Sequence, residues 1–411
     1  MKLCEHPEFS QAVLGAAAHF RDRGLRPAVI EKDYYLTEAL RAVHAHAGTR
    51  VIFKGGTSLS KGWNLIERFS EDVDLFLDPE AWNPRLDERQ SQRELKSLRD
   101  QVGKVVGLRH DPQHSRSGTF GRSDSFTYQR QFDGPGEVAN HVLLEVGTAS
   151  GREPTEERPI DSLLAQFLRE TGVALEAEDE AFFPMRLLHF RRTFVEKLFA
   201  IHSKVALYLE RPDRGFGSYP RHYYDLACLA KRPEVTQMLA SPEYETIRRD
   251  YDRISRQHYA RDYRPPPELR FRASEALFPT GGLADVLERE YERQCSVLCF
   301  RKYPPWAEVL QRLQGLKALL CASTAGDSSR RQDSSVLTPP SDHFRSIPHQ
   351  DSAAVLPTPT ALARRGAQCR SNTWQVSRTW KSSDSPRSRR AARIRARRSS
   401  PCALPRSVKK C

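Results

Sequence analysis

Two aspartates one residue apart, Asp72 and Asp74, stand in the run Asp72-Val73-Asp74-Leu75-Phe76-Leu77, whose apolar remainder reads as a β-strand. Side chains on a strand alternate with a period of two, so both carboxylates project from one face. Such a pair repels unless a cation neutralises it, and Mg²⁺ held by one or two carboxylates together with substrate phosphates is the usual solution. Upstream, the β-branched and aromatic run Arg50-Val51-Ile52-Phe53-Lys54 ends at Gly55-Gly56, and Thr57-Ser58 open an apolar helical pattern through Leu59, Trp63, Leu65 and Ile66. That order is strand, tight turn, helix. A glycine pair lets the backbone approach a ligand closely, and the free N–H groups of a helix start favour a phosphate there. A nucleotide and its metal ions could meet between this turn and the aspartates. The residues do not make a P-loop, because Lys61 follows Ser60 rather than Gly and precedes Gly62 rather than Ser or Thr.

Other candidates are weaker taken singly. Lys197 lies in an apolar-periodic segment, Phe194, Leu198, Ile201, Val205 and Leu209, which predicts an amphipathic helix. A lysine there commonly only snorkels to water. Asp225, after two tyrosines in Arg221-His222-Tyr223-Tyr224-Asp225-Leu226, reads as readily as a cap or a buried ion-pair partner. Glu145 in the run His141 to Val146 faces either a site or solvent, and Ser70 either binds a phosphate oxygen or caps a turn. Glu31, Lys32 and Asp33 are three consecutive charges on a helix, read as a solvated face or intrahelical ion pairing and kept out of the catalytic set.

The glycine pair followed at this distance by Asp-x-Asp resembles the first motif of the DNA polymerase β-like nucleotidyltransferases. The fuller form, KGGTSLSK with RFSEDVDL, resembles the AbiEii/AbiGii toxin family of bacterial toxin–antitoxin systems. Ile30 to Leu36 (IEKDYYL) is similar to that family's N-terminal helix, and Arg192 to His202 (RTFVEKLFAIH) and Arg221 to Leu226 (RHYYDL) to its two later motifs, in order. The resemblance covers roughly residues 20 to 300. It implies Mg²⁺-dependent nucleotidyl transfer from a nucleoside triphosphate, with Asp72, Asp74, Lys197 and Asp225 catalytic. Asp72 and Asp74 would hold the metal, with Glu145 the candidate third carboxylate. Gly55, Gly56, Thr57, Ser58, Lys61 and Ser70 would bind the nucleotide. The resemblance further implies a growth-blocking toxin opposed by a co-encoded antitoxin, with a tRNA end as the acceptor in some members. Arg191, Arg192, Arg221 and His222 lie near the later motifs, where they could contact an acceptor RNA phosphate. Transfer to a protein or a small molecule stays open, as does a non-catalytic nucleotide- or RNA-binding role. The intact Asp72, Asp74, Lys197 and Asp225 argue against the last.

The elements that must position these residues follow from the patterns. Helices are expected near 9–20 and 29–44, strands near Val51 and Val73, a charged helix over 84–106, and strands over 126–132 and 138–146. Beyond about Pro159 the patterns are helical: 160–170, 190–209, 223–230, 242–259, 283–294 and 306–319. The expected fold is α+β, a mixed-sheet nucleotidyltransferase core over residues 1–150 and a helical domain over 151–321 that completes the active-site cleft. A third segment, 322–411, holds 18 Lys and Arg against 5 Asp and lacks apolar periodicity, so it is expected to be a disordered basic tail. The chain's 65 basic residues less those 18, and its 52 acidic residues less those 5, leave 47 of each sign, so the tail carries the whole net charge of +13. That charge therefore says nothing about what the body binds. The start MKLCEHPEF lacks the apolar core of a signal peptide and no run of about 18 apolar residues occurs, which predicts a cytoplasmic protein. Eight scattered cysteines without CxxC or matching histidine spacing read as reduced thiols.

Overall fold

The computed structural model describes residues 1–70, 72–133 and 141–321. These belong to one unit, Met1–Ser334; a second unit, Ser335–Cys411, and the whole of the segment 322–411 expected to be disordered lie outside the described residues. Seven strands form one mixed sheet: β1 Val51–Lys54, β2 Asp72–Leu77, β3 Arg109–Gly118, β4 Gly121–Thr127, β5 His141–Gly147, β6 Thr155–Ile160 and β7 Phe183–Leu188, in the order β3-β4-β5-β2-β1-β7-β6. The pairs β1–β7 and β2–β5 are parallel, and the other four are antiparallel.

Among the described residues twelve α-helices accompany the sheet: α1 Phe9–His19, α2 Pro27–Ala47, α3 Gly55–Lys61, α4 Glu88–Val102, α5 Leu163–Thr171, α6 Phe190–Glu210, α7 Arg221–Leu229, α8 Pro233–Leu239, α9 Pro242–His258, α10 Gly281–Leu298, α11 Trp306–Gly315 and α12 Lys317–Cys321. Among the described residues no helix is long and apolar enough to cross a membrane.

The two faces of β2 explain the layering. Val73, Leu75 and Leu77 enter the main core, which they share with Ile30, Tyr34 and Leu40 of α2 and Leu198 of α6. The opposite face carries Asp72 and Asp74 and then Phe76, which closes a small separate cluster with Ile52 and Leu188. One strand therefore supplies core on one side and carboxylates on the other.

Several elements depart from expectation. The strand expected over 126–132 is β4, ending at Thr127, and the one expected over 138–146 begins at His141 among the described residues. β3, with the polar sequence RHDPQHSRSG, has no apolar alternation because it is an edge strand, and its register shifts between Asp111 and Arg116. β6 and β7 lie beyond residue 150, where helix is expected to take over. They extend the sheet past β1; Glu157 faces Arg186 across the pair, Arg158 pairs with Glu156 along β6, and these charges mask the strand pattern. Helix α4 is shorter than the expected 84–106 because a capping box starts it: Asp87 accepts from Gln90 N at 2.6 Å, and the Gln90 side chain accepts from Asp87 N at 2.8 Å.

The charged triplet in α2 is not a solvated face. Glu31 and Lys32 are fully buried. Glu31 accepts from the backbone N–H of Gln131 and Phe132, and the Lys32 ammonium lies 5.0 Å from the centre of the Phe69 ring. α2 runs through the middle of the fold, with fourteen of its 21 residues buried, so charges that an isolated amphipathic helix would expose are enclosed by neighbours.

Candidate active site

The register of the sheet assembles the first half of the site. Lys54 of β1 faces Asp74 of β2, Asp74 faces Glu145 of β5, and Glu145 faces Ser123 of β4. Directly paired residues share a face, so these four form one row across four strands. Ser123 Oγ donates to Glu145 Oε1 at 3.3 Å, while Lys54 Nζ donates to Ser150 Oγ at 3.2 Å. The Asp74 carboxylate has no hydrogen bond or ion pair among the described residues. Burial, with Asp72 beside it, pushes the Asp74 carboxyl above the ordinary carboxylate range against the pull of Lys54. Burial, then Asp74 and Asp72, does the same to Glu145. This wall holds more negative charge than its surroundings neutralise.

The glycine turn is pressed against that wall. Gly55 has φ of +75°, a conformation that other residues rarely adopt, and a side chain there would collide with the Asp74 carboxylate. At Gly56 a Cβ would come within 2.5 Å of the Arg68 guanidinium. The turn is therefore bare backbone for steric as well as conformational reasons. α3 is only seven residues long, so its dipole adds little to what the exposed N–H groups offer.

The second half comes from helices. Lys197 of α6 is 6% exposed, and its Nζ stands 2.8 Å from Asp225 Oδ2 and 3.2 Å from His222 Nδ1, both on α7. Asp225 is fully buried and also accepts a bidentate pair from Arg68, Nε to Oδ1 at 2.7 Å and Nη2 to Oδ2 at 2.8 Å. Burial alone would raise the Asp225 carboxyl, but Arg68 and Lys197 hold it well below the ordinary range. Burial pulls the Lys197 ammonium downward, with Asp225 opposing. Burial and Lys197 push His222 down to about 3, so its ring is neutral at physiological pH. With both oxygens occupied, Asp225 serves to fix Lys197 rather than to meet a ligand.

These groups converge on a cavity of about 360 Å³ whose walls include Gly55, Gly56, Asp72, Asp74, Glu145, Lys197 and Arg221. Tyr219 and Tyr259, 37% and 49% exposed, also line it. The structure does not bring every expected nucleotide ligand here. Thr57 Oγ1 donates to the Asp72 carbonyl, Ser58 is buried with Oγ donating to the Gly55 carbonyl, and Lys61 Nζ is paired with Asp33 at 2.6 Å. Thr57, Lys61 and Ser70 line a different cavity, of about 670 Å³. Lys61 is held there because the other Asp33 oxygen accepts from Leu163 N, tying α2, α3 and α5 together. Among the arginines considered for RNA contact, Arg192 is buried on Glu196, Asp250 and the Glu153 carbonyl, and Arg191 pairs with Glu243. Arg221 and His222 do reach the cavity.

Sequence reading passed over Arg68, the residue that anchors Asp225, although it sits inside the quoted RFSEDVDL run. An arginine between Glu67 and Phe69 carries no signal until its partner, 157 positions away, is known. Tyr219 and Tyr259 were equally silent.

The residues from 38 to 308 match the family described as nucleotidyl transferase AbiEii toxin, type IV toxin–antitoxin system. The match takes in the glycine turn, both aspartates and the two later motifs, and leaves IEKDYYL and the C-terminal segment outside it. No curated protein matches the chain. Among solved structures, the chain is similar to MenT4, the nucleotidyltransferase toxin Rv2826c from Mycobacterium tuberculosis H37Rv, at 19% identity and a TM-score of 0.48, over 74% of this chain and 88% of that one. With two thirds of its length matched in order, and with the matched motifs gathered around one cavity, the chain belongs to the AbiEii nucleotidyl transferase toxin family of type IV toxin–antitoxin systems.

Proposed function

We propose that this protein transfers a nucleoside monophosphate from a nucleoside triphosphate to an acceptor hydroxyl, with a tRNA end as the acceptor and Mg²⁺ as the cofactor. The observation that carries the reading is the opposition of two walls across one cavity: Asp72, Asp74 and Glu145 from strands, Lys197 and Arg221 from helices.

The carboxylate wall suits a hard divalent cation. Asp74 is free of hydrogen bonds and ion pairs among the described residues; its carboxyl is raised by burial and by Asp72, and that of Glu145 by burial, Asp74 and Asp72, a repulsion that a cation would relieve. Among the described residues no three His, Cys, Asp or Glu side chains form a closed metal cluster. An open site completed by phosphate oxygens and water is the arrangement Mg²⁺ prefers. Asp72 and Asp74 would hold it, with Glu145 at the third position. When bound, the cation would polarise the α-phosphate and offset the charge of the triphosphate.

The remaining roles belong to the chain itself. The backbone of Gly55 and Gly56 receives phosphate oxygens where no side chain fits. Lys197, held by Asp225, and Arg221 face the charge that grows on the departing pyrophosphate. Tyr219 and Tyr259, which line the cavity, could pack against a base. The acceptor oxygen bonds to the α-phosphorus as the bond to the bridging oxygen breaks, and pyrophosphate leaves with that electron pair. The hydroxyl proton passes to a carboxylate of the strand wall that the cation leaves free. Soluble action in the cytoplasm and opposition by a co-encoded antitoxin complete the reading.

Incubation of the protein and its Asp72→Ala variant with Mg²⁺, each labelled nucleoside triphosphate in turn and total tRNA tests it. Label should appear on RNA with the wild-type chain and vanish with the variant. Label on protein or on a small molecule would move the acceptor, and no transfer to any acceptor would refute the reading.

A further inference from the structure

Arg221 differs from the two cations bound to Asp225. Arg68 and Lys197 pair with that carboxylate at 2.7 to 2.8 Å, and Lys54, on the strand side, donates to Ser150 Oγ at 3.2 Å. Arg221 Nη2 stands 3.6 Å from Asp72 Oδ2, too far for a hydrogen bond, and its Nε is buried without any hydrogen-bond partner. Its backbone is nonetheless fixed, because Arg221 N donates to Gln294 Oε1 at 3.0 Å and Gln294 Nε2 in turn donates to the Gly217 carbonyl at 2.6 Å. A rooted backbone thus carries an under-committed guanidinium. That guanidinium faces the same aspartate that a divalent cation would need, and two positive groups on one carboxylate repel. A triphosphate offers the guanidinium a better partner, since phosphate oxygens match its fork of donors bidentately.

We propose that Arg221 is an exchange residue: it neutralises Asp72 until a triphosphate takes the guanidinium, and only then is Asp72 released to a divalent cation. Cation and nucleotide thereby fill the cavity as a couple, beyond the coupling their own chelation provides. The inference rests on the nucleotidyl-transfer reading in placing both ligands in this cavity, and it assigns that site its order of loading.

Binding measurements on the full chain separate the two ideas without any need for turnover. Mn²⁺ alone would be titrated by electron paramagnetic resonance. A non-transferable α,β-methylene triphosphate, without metal, would be titrated by calorimetry. The chains compared are wild type, Arg221→Gln, Arg221→Lys and Asp72→Ala. Arg221→Gln should bind Mn²⁺ roughly 3- to 10-fold more tightly and the triphosphate roughly 10-fold more weakly, opposite signs from one substitution. Arg221→Lys, which keeps the charge, should stay within about threefold of wild type for Mn²⁺. Unchanged or weaker Mn²⁺ binding by Arg221→Gln would overturn the exchange, as would losses of both ligands together, the pattern a folding defect gives. A wild-type chain that binds neither ligand, with Asp72→Ala indistinguishable from it, would bring down the nucleotidyl-transfer reading and this inference with it.

Discussion

The two walls of the cavity carry opposite electrostatic states. On the strand side, Asp72, Asp74 and Glu145 crowd one face of the sheet, and two of their carboxyls are held above the ordinary range. On the other side, Lys197 and Asp225 from helices and Arg68 from the connection between α3 and β2 are almost wholly buried and answer one another at 2.7 to 2.8 Å. A satisfied buried network resists rearrangement, because removing any member strands the others away from water. A strained carboxylate row gains from a ligand that brings positive charge. The Arg68-Asp225-Lys197 network is thus built to hold position, and the strand wall, with Arg221 facing it, to receive; the difference explains how one cavity can be both rigid and poised to bind.

The contrast can be broken most severely at Asp225. Asp225→Ala leaves the Arg68 guanidinium and the Lys197 ammonium buried without a counter-charge, and should cost about 3–5 kcal/mol in urea unfolding together with loss of transfer. A cost below about 1 kcal/mol would mean that the helix wall is not a satisfied network.

Asp74→Asn should act in the opposite direction on stability. Transfer should fall by roughly 10³-fold, yet the chain should gain about 1 kcal/mol at neutral pH because a repelling charge is removed. The pH dependence has a definite sign. The folded carboxyl titrates above its unfolded value, so the stability it contributes is fully present in acid and is lost as pH rises through the folded value. The gain from Asp74→Asn should therefore be largest at neutral pH and close below the ordinary carboxylate range near pH 4. Thermal melts of both chains across that window measure it, and a variant less stable than wild type at pH 7 would show that Asp74 is compensated.

Lys61→Met sharpens the boundary of the site. Its partner Asp33 is half-buried between helices, so stability should drop by roughly 1–2 kcal/mol while triphosphate affinity stays within about twofold. A tenfold loss of nucleotide affinity in a folded variant would return Lys61 to the phosphate site. The smallest effect is expected from Glu145→Gln. The charge at the third position goes but Ser123 remains a partner, so transfer should fall about 10-fold in steady-state assays with little change in melting temperature.

Much of the site was legible because its information is local. Gly55-Gly56 and Asp72-x-Asp74 are each one element's worth of sequence, and the period of a strand is enough to put both aspartates on one face. Lys197 and Asp225 were legible through family motifs, not through physics, since a lone lysine or aspartate on a helix has many ordinary uses. What failed was whatever depends on a distant partner. The Glu31-Lys32-Asp33 triplet read as solvated because nothing in α2 announces Gln131, Phe132, Phe69, Lys61 and Leu163, which meet it from elsewhere in the chain. Lys61 read as a phosphate ligand because Asp33, 28 positions away, could not be paired with it from sequence. β3 and β6 were missed because edge strands need no apolar alternation.

By itself, then, the sequence determined the class of chemistry, the strand-turn-helix that carries it and the family to which the chain belongs. Each follows from spacings within about twenty residues or from motifs in fixed order. The tertiary structure decided which charges are spent and which are free. Arg68 lies 157 positions from the aspartate it anchors, and Arg221 149 positions from the one it faces. Whether a charge is buried with a partner or left facing a cavity is set by packing across the whole fold, because the cost of desolvating a group and the worth of its counter-charge exist only once the chain has closed around both.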